Sequence, residues 1–140
     1  VLENQTLMLG ILSKALQEFQ TAIDELGIAE QVTTFTISDF GRTLSSNGNG
    51  TDHAWGGNVI TMGGAINGGQ IFGTYPSLQL GGPDDIGGAI LLPSISTDMY
   101  FAELANWFGV SKGDLNYVLP NISRFYDPRV EQSPIGFMKS

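Results

Sequence analysis

Apolar residues recur mostly at three- and four-residue steps near the start of the chain: Leu7, Ile11, Leu12, Leu16, Phe19, Ile23 and Leu26. That spacing predicts one amphipathic helix over residues 4–27. Lys14, Gln17, Glu18, Gln20, Asp24 and Glu25 fill its other faces, and Gly27 suits the left-handed residue that closes a helix. The pattern then changes. Residues 31–37 (Gln-Val-Thr-Thr-Phe-Thr-Ile) are β-branched and aromatic, which predicts a strand. A helix, a short connection and a strand suggest an α/β layer with the strand parallel to its neighbours.

The middle of the chain is rich in glycine. Residues 58–62 predict a short strand, and 70–73 a second extended piece. The pairs Gly63-Gly64 and Gly68-Gly69 are turn chemistry: no phosphate-loop or dinucleotide fingerprint surrounds them. Residues 74–93 predict a long surface excursion, in which Asp84-Asp85 offers a cation site or, more simply, a turn. A second helix starts near Thr97 and closes at Gly109. Tyr100, Phe101, Leu104, Trp107 and Phe108 form its apolar face, which reads as core. Ser111-Lys112-Gly113-Asp114 has capping-box spacing and opens a short helix that ends before Pro120. Asp127-Pro128 and Ser133-Pro134 interrupt the rest, so residues 127–140 are expected to form an irregular tail.

The length, 140 residues, fits one domain. Lys plus Arg is 6 against 14 Asp plus Glu, a net charge of -8, which makes a basic patch for nucleic acid or anionic membrane improbable. There is no cysteine, so disulfides and thiolate metal sites are excluded. No apolar run approaches the roughly 18 residues that a membrane span needs. The chain begins at Val1 without a signal-like region, so a mature or excised piece is expected. Three short sequons carry little weight.

Candidate chemistry collects in one stretch, from Ser38-Asp39-Phe40-Gly41-Arg42 to Thr51-Asp52-His53-Ala54-Trp55. It holds the sole histidine of the sequence, an arginine and two aspartates. A loop of Ser, Asn and Gly over residues 43–50 joins its two ends. Asp39 falls just beyond the end of the first predicted strand, where open α/β sheets gather ligands. Asp39 and His53, with Asp52, offer a carboxylate–imidazole set suited to zinc, manganese or iron. Three ligands would fall short of a closed site, and the alternative is a loop stabilised by Asp turns and by Asp39–Arg42 or Asp52–His53 contacts. A hydrolytic triad through Ser38 is disfavoured because no nucleophile elbow surrounds it.

Residues 34–42 (Thr-Phe-Thr-Ile-Ser-Asp-Phe-Gly-Arg), then 47–56 (Asn-Gly-Asn-Gly-Thr-Asp-His-Ala-Trp-Gly), then Met62-Gly63-Gly64 and Gly68-Gly69, resemble the carboxyl-terminal part of the DUF1501 family. The helix over residues 96–110 resembles the family's last helix. The resemblance runs from about Gln5 to Tyr126. It implies an α/β fold: part of an alkaline phosphatase/sulfatase-like three-layer arrangement, with a mostly parallel sheet flanked by helices and a Gly-rich excursion, over residues 1–126. It implies a metal-dependent hydrolase of phosphate or sulfate esters, exported to the periplasm, with zinc, manganese, calcium or magnesium as cofactor. Asp39, His53 and Asp52 would be metal ligands, and Arg42 would hold Asp39 or a small anionic substrate. Phe40 stands where phosphatases and sulfatases carry a paired histidine, so one ligand is lost. Further ligands and the nucleophile are expected upstream of Val1, in the remainder of the parent chain, and the present chain alone is expected to be inactive. The alternative is a non-catalytic binding or structural protein with a degenerate phosphatase-like fold.

Overall fold

A computed structural model describes residues 2–139. The chain divides into two compact units. Residues up to Ile66 together with Ser77–Leu92 make the first, and Asn67–Pro76 with the chain from Pro93 onward makes the second.

In the first unit, α1 (Leu2–Glu25) is the expected amphipathic helix, shifted two residues toward the amino terminus. Gly27 closes it at φ 70°, its N–H donating to the Asp24 carbonyl at 3.0 Å. A 3-10 turn at Ala29–Gln31 then leads into β1 (Thr33–Phe35). β1 pairs antiparallel with β4 (Thr61–Gly63), setting Thr34 opposite Met62. The Gly64 N–H donates to the Ala29 carbonyl at 2.9 Å, and a Cβ on Gly64 would lie 2.6 Å from the Ala29 carbonyl carbon. Here the glycine is required by close backbone approach. β2 (Gly41–Ser46) and β3 (Thr51–Ala54) form a separate antiparallel hairpin. The Ser77–Leu92 segment folds back on this unit, the Leu44 N–H donating to the Ala89 carbonyl at 3.0 Å.

The parallel, three-layer α/β sheet expected from the sequence is not what forms. Among the described residues the strands make two antiparallel two-stranded sheets. The physical reason is connection length. A parallel pair needs a crossover of a dozen or more residues, usually helical. Only four residues join β2 to β3, and no helix lies between β1 and β4. The extended piece expected over residues 70–73 is not a strand, and the excursion over 74–93 is tied into turns. Asp84 accepts from the Ser77 N–H at 2.7 Å. Asp85 accepts from Gly81 at 2.8 Å and Gly87 at 2.9 Å, and these backbone donors hold its carboxyl below the usual carboxylate range.

The second unit is built on α2 (Thr97–Phe108) and α3 (Leu115–Val118). Ser96, not Thr97, is the cap: its Oγ accepts from the Met99 N–H at 3.1 Å. Gly109 ends α2 at φ 112°. Ala102, Leu115, Ile122 and Tyr126 make the core, with Met99, Ala105, Val110 and Leu119 packed on it. Burial pushes the Tyr126 phenol up, helped by the nearby carboxylates of Glu131, Glu103 and Asp127.

The end of the chain is irregular but not loose. Phe137 is buried, edge-on to Phe72 at 6.2 Å and tilted against Tyr100 at 5.7 Å. It is held there by Glu103, a residue only 3% exposed in the middle of α2. The Glu103 carboxylate accepts backbone N–H bonds from Ile135 (2.9 Å), Gly136 (3.1 Å) and Met138 (3.2 Å). A buried acid must be satisfied this fully to be tolerated. Among the described residues no helix is long and apolar enough to cross a membrane.

Two outcomes follow from these contacts. Glu103→Gln keeps the shape but turns an amide NH2 toward backbone donors. It is expected to destabilise the second unit by about 2 kcal/mol in urea unfolding and to speed amide exchange at Ile135, Gly136 and Met138. Asp127 accepts a two-pronged Arg129 guanidinium at 2.8 and 2.7 Å, which lowers its pKa from an ordinary 3.8 to about 2. Its stabilising contribution is therefore complete above about 3.8 and lost as pH falls through about 2. Carboxyl NMR titration should find that low midpoint, and Arg129→Ala should return it toward the ordinary value.

Candidate functional site

The stretch that the sequence marks for chemistry folds as the β2–β3 hairpin, not as a flexible loop. Its turn is built from Asn and Gly. The Asn47 N–H donates to the Gly50 carbonyl at 3.0 Å, the Asn47 side chain accepts from the Asn49 N–H at 3.2 Å, and Gly48 sits at φ 99°. Gly41 pairs with Ala54 and Arg42 with His53; a bulge separates that register from the Ser46–Thr51 pair at the turn.

Strand alternation then sorts the side chains. Gly41, Thr43 and Ala54 are buried on one face. Phe40, Arg42 and His53 share the exposed face. The His53 imidazole stacks on the Phe40 ring, centroids 3.6 Å apart and planes 11° from parallel. The Arg42 guanidinium carbon lies 5.0 Å from the Phe40 centroid, in cation–π range, and Nη1 donates to the Thr51 carbonyl at 2.6 Å. One phenyl ring thus fixes both a guanidinium and an imidazole, and four of the five Arg42 N–H donors have no partner among the described residues.

The other expected site residues lie elsewhere. Asp52 neighbours His53 on β3, so alternation turns it to the opposite face; its Oδ1 accepts from Asn47 Nδ2 at 2.8 Å. Asp39 sits in an exposed bend just before β2 and makes no hydrogen bond or ion pair among the described residues. Neither the Asp39–Arg42 nor the Asp52–His53 contact of the turn alternative forms: Arg42 bonds Thr51 and Asp52 bonds Asn47. Ser38 donates to the Phe40 carbonyl at 2.8 Å as part of the same bend. Among the described residues no group of three or more His, Cys, Asp or Glu is placed to hold a metal ion. The donor set of this chain therefore does not by itself fit a metal centre of three protein ligands.

Sequence reasoning missed the role of Phe40, which it read only as a lost ligand. The signal was present: Phe40 and Arg42 are two apart, and an Asn-Gly turn places both beside His53. Gly41, between them, has a steric role. A Cβ there would overlap the Gly56 carbonyl oxygen. Gly41→Ala should therefore cost about 1–3 kcal/mol in urea unfolding. It should also reduce the ring-current shift of the His53 protons. Gly50→Ala, where a Cβ meets nothing within 4 Å, is the near-neutral comparison.

No curated protein and no solved structure matches the chain. Over residues 2–112 it matches the family described as Protein of unknown function (DUF1501). That match spans well over half of the 140 residues, and the chain belongs to the DUF1501 family.

Proposed function

We propose that the exposed face of the β2–β3 hairpin binds the anionic group of a small substrate, as the contribution of this chain to a phosphate- or sulfate-ester hydrolase. One observation carries this reading: Arg42 and His53 are cross-strand partners that both pack on the Phe40 ring, and four of the five Arg42 N–H donors have no partner among the described residues. Arg42 has a planar fork that matches the oxygens of phosphate or sulfate. His53 supplies a second, single donor beside it. In the same proposal Asp39 and His53 are the two ligands this chain offers to a divalent ion such as zinc, manganese, calcium or magnesium. The remaining ligands and the nucleophile come from outside residues 2–139, and no chemical step is assigned to the ion.

A second reading is a binding protein without catalysis. It is favoured by the lack of a three-ligand group among the described residues. The two readings share the anion site and differ in turnover.

Titrating inorganic phosphate and sulfate into isotope-labelled chain, followed at the His53 ring and the Arg42 Nε–H, tests the shared part. Saturable shifts with a Kd on the order of 1 mM are expected, about tenfold weaker in Arg42→Ala. Asp52→Asn, on the other face, should leave the affinity unchanged. Shifts that never saturate, or that Arg42→Ala does not weaken, would sink the proposal. The chain alone should not turn over p-nitrophenyl phosphate or sulfate.

A further inference from the structure

Asparagine followed by glycine occurs three times in the chain, at Asn47-Gly48, Asn49-Gly50 and Asn67-Gly68. The pair has a chemistry of its own. Glycine has no side chain to shield its amide nitrogen or to restrict the backbone, so that nitrogen can reach the side-chain Cγ of the asparagine before it. By local sequence the three pairs are equivalent. Their surroundings are not.

Asn47 is pinned by its side chain. Its Oδ1 accepts from the Asn49 N–H at 3.2 Å and its Nδ2 donates to Asp52 Oδ1 at 2.8 Å. The Gly48 N–H beside it donates to Ser46 Oγ at 3.1 Å. The carboxamide cannot turn onto the Gly48 nitrogen without breaking these bonds. Asn67 is pinned by its backbone. Its N–H donates to the Phe137 carbonyl at 2.8 Å, and its carbonyl accepts from Gln70 Nε2 at 3.2 Å. Rotating the Asn67–Gly68 peptide breaks the second of these. Asn49 is exposed at the tip of the β2–β3 hairpin. Among the described residues neither its carboxamide, nor its carbonyl, nor the Gly50 N–H makes a hydrogen bond. Both reacting groups are free there.

We propose that Asn49-Gly50 is a spontaneous modification site, which in the folded chain converts to isoaspartate ahead of the other two pairs. The Gly50 nitrogen attacks Cγ of Asn49. A Cγ–N bond forms, the Cγ–Nδ2 bond breaks, and Nδ2 leaves as ammonia with the proton that Gly50 gives up. Water then opens the five-membered imide at either carbonyl, giving aspartate or isoaspartate. The isoaspartyl product carries one more carbon in the main chain. That carbon falls inside the turn closed by the Asn47 N–H and the Gly50 carbonyl at 3.0 Å. A lengthened turn no longer matches this bond, so the closed end of the hairpin loosens. None of this depends on what the hairpin binds.

The test holds the full chain in mildly alkaline buffer, folded or in urea, and samples it over time. Fragment mass spectrometry reads the acid formed at each asparagine, and labelling by an isoaspartyl methyltransferase reads the isoaspartyl form. In the folded chain Asn49 is expected to convert first, at least about tenfold faster than Asn47, whose two carboxamide hydrogen bonds must open beforehand. In urea the three rates should converge. Gly50→Ala places a Cβ that meets nothing within 4 Å, so it should keep the fold while hindering the nitrogen and slowing Asn49 severalfold. Far-UV circular dichroism checks the fold. In the converted chain, separated by its added negative charge, amide exchange at Asn47 should speed up. Asn47 or Asn67 converting as fast as Asn49 in the folded chain overturns the proposal. So does the same order persisting in urea, because the fold would then not be what selects the site. Unchanged exchange at Asn47 in the isoaspartyl form overturns the loosening of the turn.

Discussion

The carbonyl oxygen of Gly56 lies where a side chain on Gly41 would begin. That contact sets the open end of the hairpin, as the Asn47–Gly50 turn sets its closed end. Between the two, β2 runs four residues from Arg42 to Ser46 while β3 runs two from Thr51 to His53, and the bulge absorbs the excess. With both ends fixed, Arg42 must face His53. The consequence is strict, because a slip of one residue moves every side chain of a strand to the other face. Such a slip would set His53 across from a buried-face residue and remove it from Phe40. The trio on the exposed face therefore depends on Gly41, which carries no chemistry itself.

The helices of this chain were readable in the sequence because their signals are local. Gly27 and Gly109 end α1 and α2 in the left-handed region, as a C′ glycine does. The sheet was misread because its signal is not local. Val32, Thr33, Thr34 and Phe35 specify extended backbone, but composition says nothing about whether the partner runs parallel or antiparallel. The partner is β4, more than twenty residues on, and it pairs over only three residues. The candidate site was partly readable for a different reason. Arginine and histidine are scarce here, so Arg42 and His53 stand out by type. Adjacency in sequence misleads for Asp52, which the strand turns away from His53, and a comparison with other families hides the stacking role of Phe40. The buried acid Glu103 left no sequence signal, because its partners lie more than thirty residues away.

An acidic chain is an unpromising place for an anion, and magnitudes decide whether the local pair prevails. At physiological ionic strength the field of a surface charge decays over about 8 Å. Carboxylates beyond that distance are largely screened. Near the Arg42–His53 face, Asp52 is turned to the opposite side of the hairpin and is bonded to Asn47. Asp39 is the acidic residue nearest in sequence to Phe40, and it is exposed in its bend. A guanidinium fork at hydrogen-bond distance outweighs dispersed, screened charge. The same arithmetic keeps the expected affinity modest, since the face is open to water.

The two units differ in what holds them together. The second buries Leu115, Ile122, Tyr126 and Phe137 and adds the charged anchor at Glu103. The first buries Ile23, Ile66 and the alanines 54, 65 and 89. An alanine methyl yields roughly 0.8 kcal/mol on burial, against about 1.5–3 for a leucine or isoleucine side chain. The larger apolar side chains on α1 mostly face solvent, and Ile23 alone of that helix is buried. Helices owe most of their stability in proteins to packing of the apolar face, and propensity alone leaves them marginal. Gly10 in the middle of α1 lowers that propensity further, by about 1 kcal/mol relative to alanine. The amino-terminal half of α1 thus draws little stability from packing within its own unit. Whatever binds there stabilises the folded state by mass action.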